Sequence, residues 1–185
     1  PKCNSPELLS QFRPISLCNV LYKIAKKVLA NRLKGILPEI ISEEQSAFVP
    51  GRLITDNVLV AYGCVHAIRK RKRKKPLCAV KLDMMKAHDR VEWVFSQQMM
   101  EHIGFANAWI LMIMRCVRYA SFSVKLNGGL SRGFYPSRGL RQGDPLSPYL
   151  FLFRVEGFFV LLKKAQHEGE VKGVTFGSFS GGYTE

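Results

Sequence analysis

The sequence predicts an α+β fold, and its own periodicities carry that reading. Apolar residues recur at helical spacing over much of the chain, a short apolar run at Leu77–Leu82 interrupts them, and the period drops to two on the approach to an Asn127-Gly128 turn. Helices and strands do not alternate regularly, so a doubly wound parallel sheet is not expected. The 185 residues suit one domain, or one domain with a lobe, and an apolar fraction of 47% is enough for a core.

The elements follow in order. Leu17, Leu21, Ile24 and Val28, with Ala25 and Leu29 beside them, mark a predicted inward stripe, and Lys23, Lys26, Lys27 and Lys34 fall largely off it. Gly35 and Pro38 are expected to end that helix. Ser42 and Gln45 resemble a capping box, yet Ala47–Gly51 reads as a loop or short strand. Thr55 or Asp56 can cap a second helix with the stripe Val58, Tyr62, Val65 and Ile68. Next comes an unbroken basic run: Arg69, Lys70, Arg71, Lys72, Arg73, Lys74 and Lys75. Its self-repulsion disfavours burial. It reads either as a solvated linker or as a phosphate-contacting loop between two lobes, with nuclear import a weaker third option. The expected division is a helical region over 1–76, with its basic linker at 69–75, and a second region over 77–185.

Leu77–Leu82 suits a buried strand ending at Asp83. A helix is predicted after it, with Val94, Phe95, Met99 and Ile103 inward and a stop at Gly104. Asn107 is expected to cap the next, which carries Trp109, Ile113, Cys116 and Val117. Phe122, Val124 and Leu126 then alternate with polar neighbours into the hairpin signal Asn127-Gly128, and the return strand is expected over Gly133–Ser137. Asp144 and Pro145 read as N-cap and first residue of a last helix reaching about Lys164. Gly177–Gly182 reads as a turn or frayed end.

The net charge is +14, from 28 basic and 14 acidic residues. This says nothing of fold, but it favours polyanionic partners, nucleic acid before acidic membrane. The five cysteines (Cys3, Cys18, Cys64, Cys78 and Cys116) are scattered, with no C-x-x-C pair. Neither a structural zinc nor a disulfide framework is expected, and a reducing, intracellular compartment, the nucleus among the options, fits best. No signal peptide opens the sequence. The most apolar run, Tyr149–Leu162, carries Arg154 and Glu156 and is too short to span a bilayer.

Asp83 is the first candidate for chemistry. A carboxylate at a strand exit projects from a rigid backbone into a cleft. Nucleotidyl transfer needs such carboxylates to hold two Mg²⁺ ions roughly 4 Å apart. Mg²⁺ takes oxygen ligands and keeps waters, so one or two carboxylates plus substrate phosphates suffice. Asp89 reads as a salt-bridge or capping residue beside Arg90, and Asp144 as a cap. In Arg141-Gln142-Gly143-Asp144-Pro145, Gly143 lets the backbone approach a ligand and the Gln142 amide can both donate and accept. A plain turn leading into a helix explains those residues equally well.

A family resemblance covers nearly the whole chain. Phe12-Arg13-Pro14-Ile15-Ser16-Leu17, Tyr22-Lys23-Ile24 with Asn31-Arg32-Leu33, and Gln45–Arg52 with Asp56-Asn57 are similar to fingers motifs. Val80–Val91 and Arg138–Pro148 resemble the A and B motifs. Together and in this order they resemble the reverse transcriptase of non-LTR (LINE-type) retrotransposons, plant elements above all. The resemblance implies right-hand polymerase fingers and a partial palm, an RNA template, a DNA primer, deoxynucleoside triphosphates and two Mg²⁺. It implies Asp83 as a catalytic metal ligand, with the Met84 carbonyl beside it. Gln142 and Gly143 would shape the nucleotide and template pocket, and Arg52 would neutralise triphosphate charge. His88 stands where the family usually has Tyr or Phe, a ring packed under the deoxyribose, so weaker sugar discrimination is expected. Met85 stands where a small residue is common.

Val171-Lys172-Gly173-Val174 matches the approach to the family's C motif, but Gly181–Glu185 diverges and no adjacent aspartate pair follows. The chain therefore reads as cut off before its active site is complete, inactive alone, and exposing the edge of the Asp83 strand. A nucleic-acid-binding remnant and a decayed copy with no function are the rival readings.

Overall fold

The computed structural model describes residues 2–8, 11–12, 15–70 and 78–172. Its elements are α1 (Val20–Ile40), α2 (Ile54–Lys70), a 3₁₀ turn (His88–Arg90), α3 (Trp93–Ile103), α4 (Asn107–Arg118), β1 (Lys125–Leu126), β2 (Gly129–Leu130) and α5 (Ser147–His167). The mixed class is as expected, with a much smaller sheet than the sequence suggests.

α1 starts where the Asn19 side chain accepts the Leu21 N–H at 3.0 Å. It does not stop at Gly35 or Pro38. Pro38 lies within the last turn, and Ile41 closes the helix by bonding the Leu37 carbonyl at 3.0 Å. The inward face is also different from the predicted one. Leu29, Ala30, Leu33 and Leu37 are buried, whereas Leu17, Ile24, Val28 and Leu21 (76% exposed) point out. Both sets have helical spacing, and periodicity alone does not say which of two apolar faces is covered.

α2 forms, but it buries none of its residues. Val58, at 62% exposed, typifies a stripe expected to face a core. Ser42 caps no helix: its N–H and hydroxyl both donate to the buried Glu156 carboxylate of α5. The loop reading of 47–51 holds.

The core is organised around α5, which packs on α3 and α1, while α3 packs on α4. Leu33, Leu37, Met100, Ile113, Leu150 and Phe153 are among its fully buried side chains. The contact between α5 and α3 is close at Gly157, where an added Cβ would lie 2.7 Å from the Phe95 ring. α3 ends at Gly104 in the left-handed region, φ 95°, as the sequence indicates. Its inward residues shift, with Met100 buried and Val94 exposed. Ala106, not Asn107, precedes the first turn of α4.

The hairpin turns at Asn127-Gly128, φ 48° and 84°, the type I′ signature. Its ladder pairs Lys125 with Leu130 and Leu126 with Gly129, so the return begins at Gly129 rather than Gly133, and Phe134 bridges back to Phe122. α5 starts at Ser147 with Pro148 in its first turn, beyond the Pro145 start expected.

The described part of the predicted strand, 78–82, forms no regular element, is exposed and pairs with no strand among the described residues. A strand is buried only by neighbours on its edges and faces, and no described strand lies beside this one. Among the described residues, no helix is long and apolar enough to cross a membrane.

Candidate active site

The backbone brings the two distant segments together. The Leu140 N–H donates to the His88 carbonyl at 2.9 Å and the Gly139 N–H to the Val91 carbonyl at 2.8 Å. Gly139 is required there: its φ is 91°, and a Cβ would lie 3.0 Å from the Asp89 carbonyl oxygen. The Trp93 indole N–H donates to the Gly139 carbonyl at 2.7 Å, fixing the junction from the α3 side. The junction is preceded by Lys86, a non-glycine residue at φ 54°, whose carbonyl accepts the Asp89 N–H at 3.0 Å.

His88 stacks on Phe151 of α5, with ring centroids 4.7 Å apart and planes 13° from parallel. One face of its imidazole is thereby fixed by packing. Beside the junction is a cavity of about 230 Å³ whose lining includes Lys26, Asp89, Trp93, Phe122, Arg141 and Gln142. Gly143, at φ 85°, has open space around it and borders a smaller neighbouring depression with Ser16 and Lys23.

Asp83 lies outside that lining. It is exposed on an irregular segment, next to Met84, which is 52% exposed. Hard oxygen donors on an open segment suit Mg²⁺, but a single carboxylate provides only part of a site. Among the described residues, no three His, Cys, Asp or Glu side chains cluster as metal ligands would. Asp89 forms no ion pair with Arg90 among the described residues; its backbone serves the turn.

Arg52 is heavily engaged. Its guanidinium donates to the carbonyls of Ser42, Gln45, Pro38 and Ile41 at 2.6, 2.7, 3.1 and 2.8 Å. Those carbonyls are the loose ends of α1 and the loop after it, so Arg52 acts here as a C-terminal cap. Arg69 and Lys70 close α2 on its exposed side, and Arg71, Lys72, Arg73, Lys74 and Lys75 lie outside the described residues. Gly177–Gly182 lies outside them as well.

Sequence reasoning missed a buried polar cluster in the wall of the cavity. Lys26 of α1 pairs with Asp144, their side chains 3% and 5% exposed. Asp144 also accepts the Leu146 N–H at 2.9 Å and so braces the turn before α5; it is not the N-cap the sequence predicts, because Leu146 precedes the helix and no side chain caps it. The Lys26 ammonium lies 4.6 Å from the Tyr22 ring centroid, and Arg141 stacks between the rings of Tyr22 and Phe122 at 5.5 and 4.9 Å. The Tyr22 hydroxyl donates to the Cys116 carbonyl at 3.0 Å. Burial, with Cys116 as the next cause, pushes the Tyr22 phenol up to about 12, and burial raises the Cys116 thiol too. One signal was available: Lys26 falls in helical register with Ala30, Leu33 and Leu37, a cation on the face that turned inward.

Residues 1–179 match the family model described as Reverse transcriptase (RNA-dependent DNA polymerase). The chain belongs to the reverse transcriptase family. It is 35% identical over 164 residues to the Transposon TX1 uncharacterized 149 kDa protein of Xenopus laevis, covering 89% of this chain and 12% of that protein. It is 27% identical over 152 residues to the Pol polyprotein of a type-1 retrotransposable element R2 of Popillia japonica, covering 82% of this chain and 21% of that one. A 49-residue stretch is 49% identical to the uncharacterized mitochondrial protein AtMg01250 of Arabidopsis thaliana, covering 26% of this chain and 40% of that protein. The reverse transcriptase segment therefore spans a small share of the TX1 and R2 relatives, and its likeness is to non-LTR retrotransposon proteins.

Proposed function

We propose that this reverse transcriptase segment forms fingers and part of a palm, and serves template-directed transfer of a deoxynucleotide to a primer 3′-end on an RNA template. The observation that supports this reading is the backbone junction of His88–Val91 with Gly139–Leu140, which joins the two segments that resemble the A and B motifs. Asp83, with the Met84 carbonyl, is the half of a Mg²⁺ site that this chain provides. When bound, the metal pair would activate the primer hydroxyl and steady the departing pyrophosphate. Gln142 and Gly143 shape the wall for base and sugar. His88, held flat by Phe151, presents its remaining face to the sugar. For Arg52 to neutralise triphosphate charge, it would have to release carbonyls at the end of α1.

No two aspartates are adjacent in the sequence, so the 185 residues alone are expected not to extend a primer. A metal-ligand set works as a unit, and losing part of it removes most of the rate. The test is primer extension with purified chain and Mg²⁺. Extension that Asp83→Ala abolishes would refute inactivity. Extension by a longer polypeptide carrying this segment, insensitive to Asp83→Ala, would refute the role of Asp83.

A second reading, a nucleic-acid-binding module without chemistry, is favoured by the +14 charge and the exposed Arg69 and Lys70. Binding to RNA or primer–template that weakens steeply with salt, with no extension in any context, would select it.

A further inference from the structure

Resting on that function, we propose that Lys26 is a positioning residue for the Gln142–Gly143 turn, acting through its buried ion pair with Asp144. Among the described residues, the other ion pairs are roughly half exposed or more, and this one is closed off from water. Asp144 directly follows Gly143 and divides its carboxylate between two tasks: one oxygen accepts the Leu146 N–H at 2.9 Å, and the other meets the Lys26 ammonium. The first oxygen shapes the turn, while the second ties it to a helix far away in sequence. Around the tie, Tyr22 bonds the Cys116 carbonyl of α4, and Arg141 lies against Tyr22 and Phe122. Helix α1 and the turn thus meet at one ammonium group, with α4 tied in through Tyr22 and Phe122 reached through Arg141.

Stability alone does not account for such a pair. Removing two charges from water costs about as much as their attraction returns, and apolar replacement is often neutral or better. What the pair does supply is direction. An apolar contact would let the turn slide, whereas an ammonium between a carboxylate and a ring face fixes its register against α1. The segment therefore carries a mechanical link from the fingers helix to the pocket wall, and movement of α1 must move Gln142 and Gly143 with it.

The double variant Lys26→Met, Asp144→Asn removes both charges, while the introduced carboxamide keeps an oxygen for the Leu146 N–H. A deoxynucleoside triphosphate with Mg²⁺ is titrated into the 185-residue chain, followed by tryptophan fluorescence, since Trp93 bonds the carbonyl of Gly139 near the turn. The double variant is expected to melt like the parent yet bind at least ~10-fold more weakly, because small misplacements of positioning groups are felt strongly. Lys26→Arg, which keeps the charge, is expected to recover most of the affinity. Unchanged affinity in the double variant overturns the proposal. Should the double variant unfold, Lys26→Gln, Asp144→Asn, which removes both charges but leaves polar groups in the cluster, carries the same comparison. If the parent binds no triphosphate, the functional reading fails for this chain, and amide exchange at Leu146 and Ser147 decides the link separately. Faster exchange in the double variant supports it, and equal exchange refutes it.

Discussion

The B segment and the Asp83 end of the A segment carry comparable sequence signals, yet they are held very differently. Arg138–Pro148 is anchored by backbone bonds to His88 and Val91, by the Trp93 indole and by Lys26, and it leads into the most buried helix of the molecule. Asp83 and its neighbours touch none of this and lie exposed. A proposed metal-binding carboxylate needs a rigid mount, and among the described residues no strand lies alongside Asp83 to give one. The wall of the proposed pocket is therefore set by contacts within these residues, whereas the proposed metal-binding side is not.

The same contrast separates α5 from α2, and substitutions should reproduce it. Phe153→Ala, in the centre of the core, is expected to cost ~3–5 kcal/mol, read by chemical denaturation. Gly157→Ala should cost ~1–3 kcal/mol, because its Cβ would overlap the Phe95 ring unless the helices part. Tolerance of both would mean that α5 is not the organising element. Val58→Ala on α2 should change stability by less than about 0.5 kcal/mol. A cost several times larger would show that the outer face of α2 is covered in solution.

The smallest effect concerns acid. Glu44 has its carboxyl lowered first by its own backbone N–H and then by Lys163, 3.2 Å away. A lowered carboxylate gives stability above its unfolded pKa that is lost as pH falls through the folded value. Lys163→Met should shrink that acid-side loss slightly; an unchanged pH profile would mean that Lys163 contributes nothing.

Much of the local fold around the candidate site was legible in the sequence because it rests on local chemistry. Asn127-Gly128 dictates its turn, Gly104 its cap, and Asp144 bonds an amide two residues on. The misreadings came from tertiary choices. Leu21, Ile24 and Val28 repeat as regularly as Leu29, Leu33 and Leu37, and only the neighbours decide which face is buried. Pro38 marks a helix end by propensity, yet Arg52 supplies donors for the carbonyls there and the helix runs on. The stretch before Asp83 has strand composition without a strand partner among the described residues. Burial of Lys26 depended on Asp144, and nothing local to either residue announces the other.

Native-state amide hydrogen exchange on the intact chain tests the central contrast most directly. The Gly139 and Leu140 amides, bonded to Val91 and His88, should be strongly protected, and those at 78–84 should exchange nearly as fast as an unfolded chain. Equal rates in the two segments would contradict the proposal that the pocket wall is built here while the Asp83 side stays open.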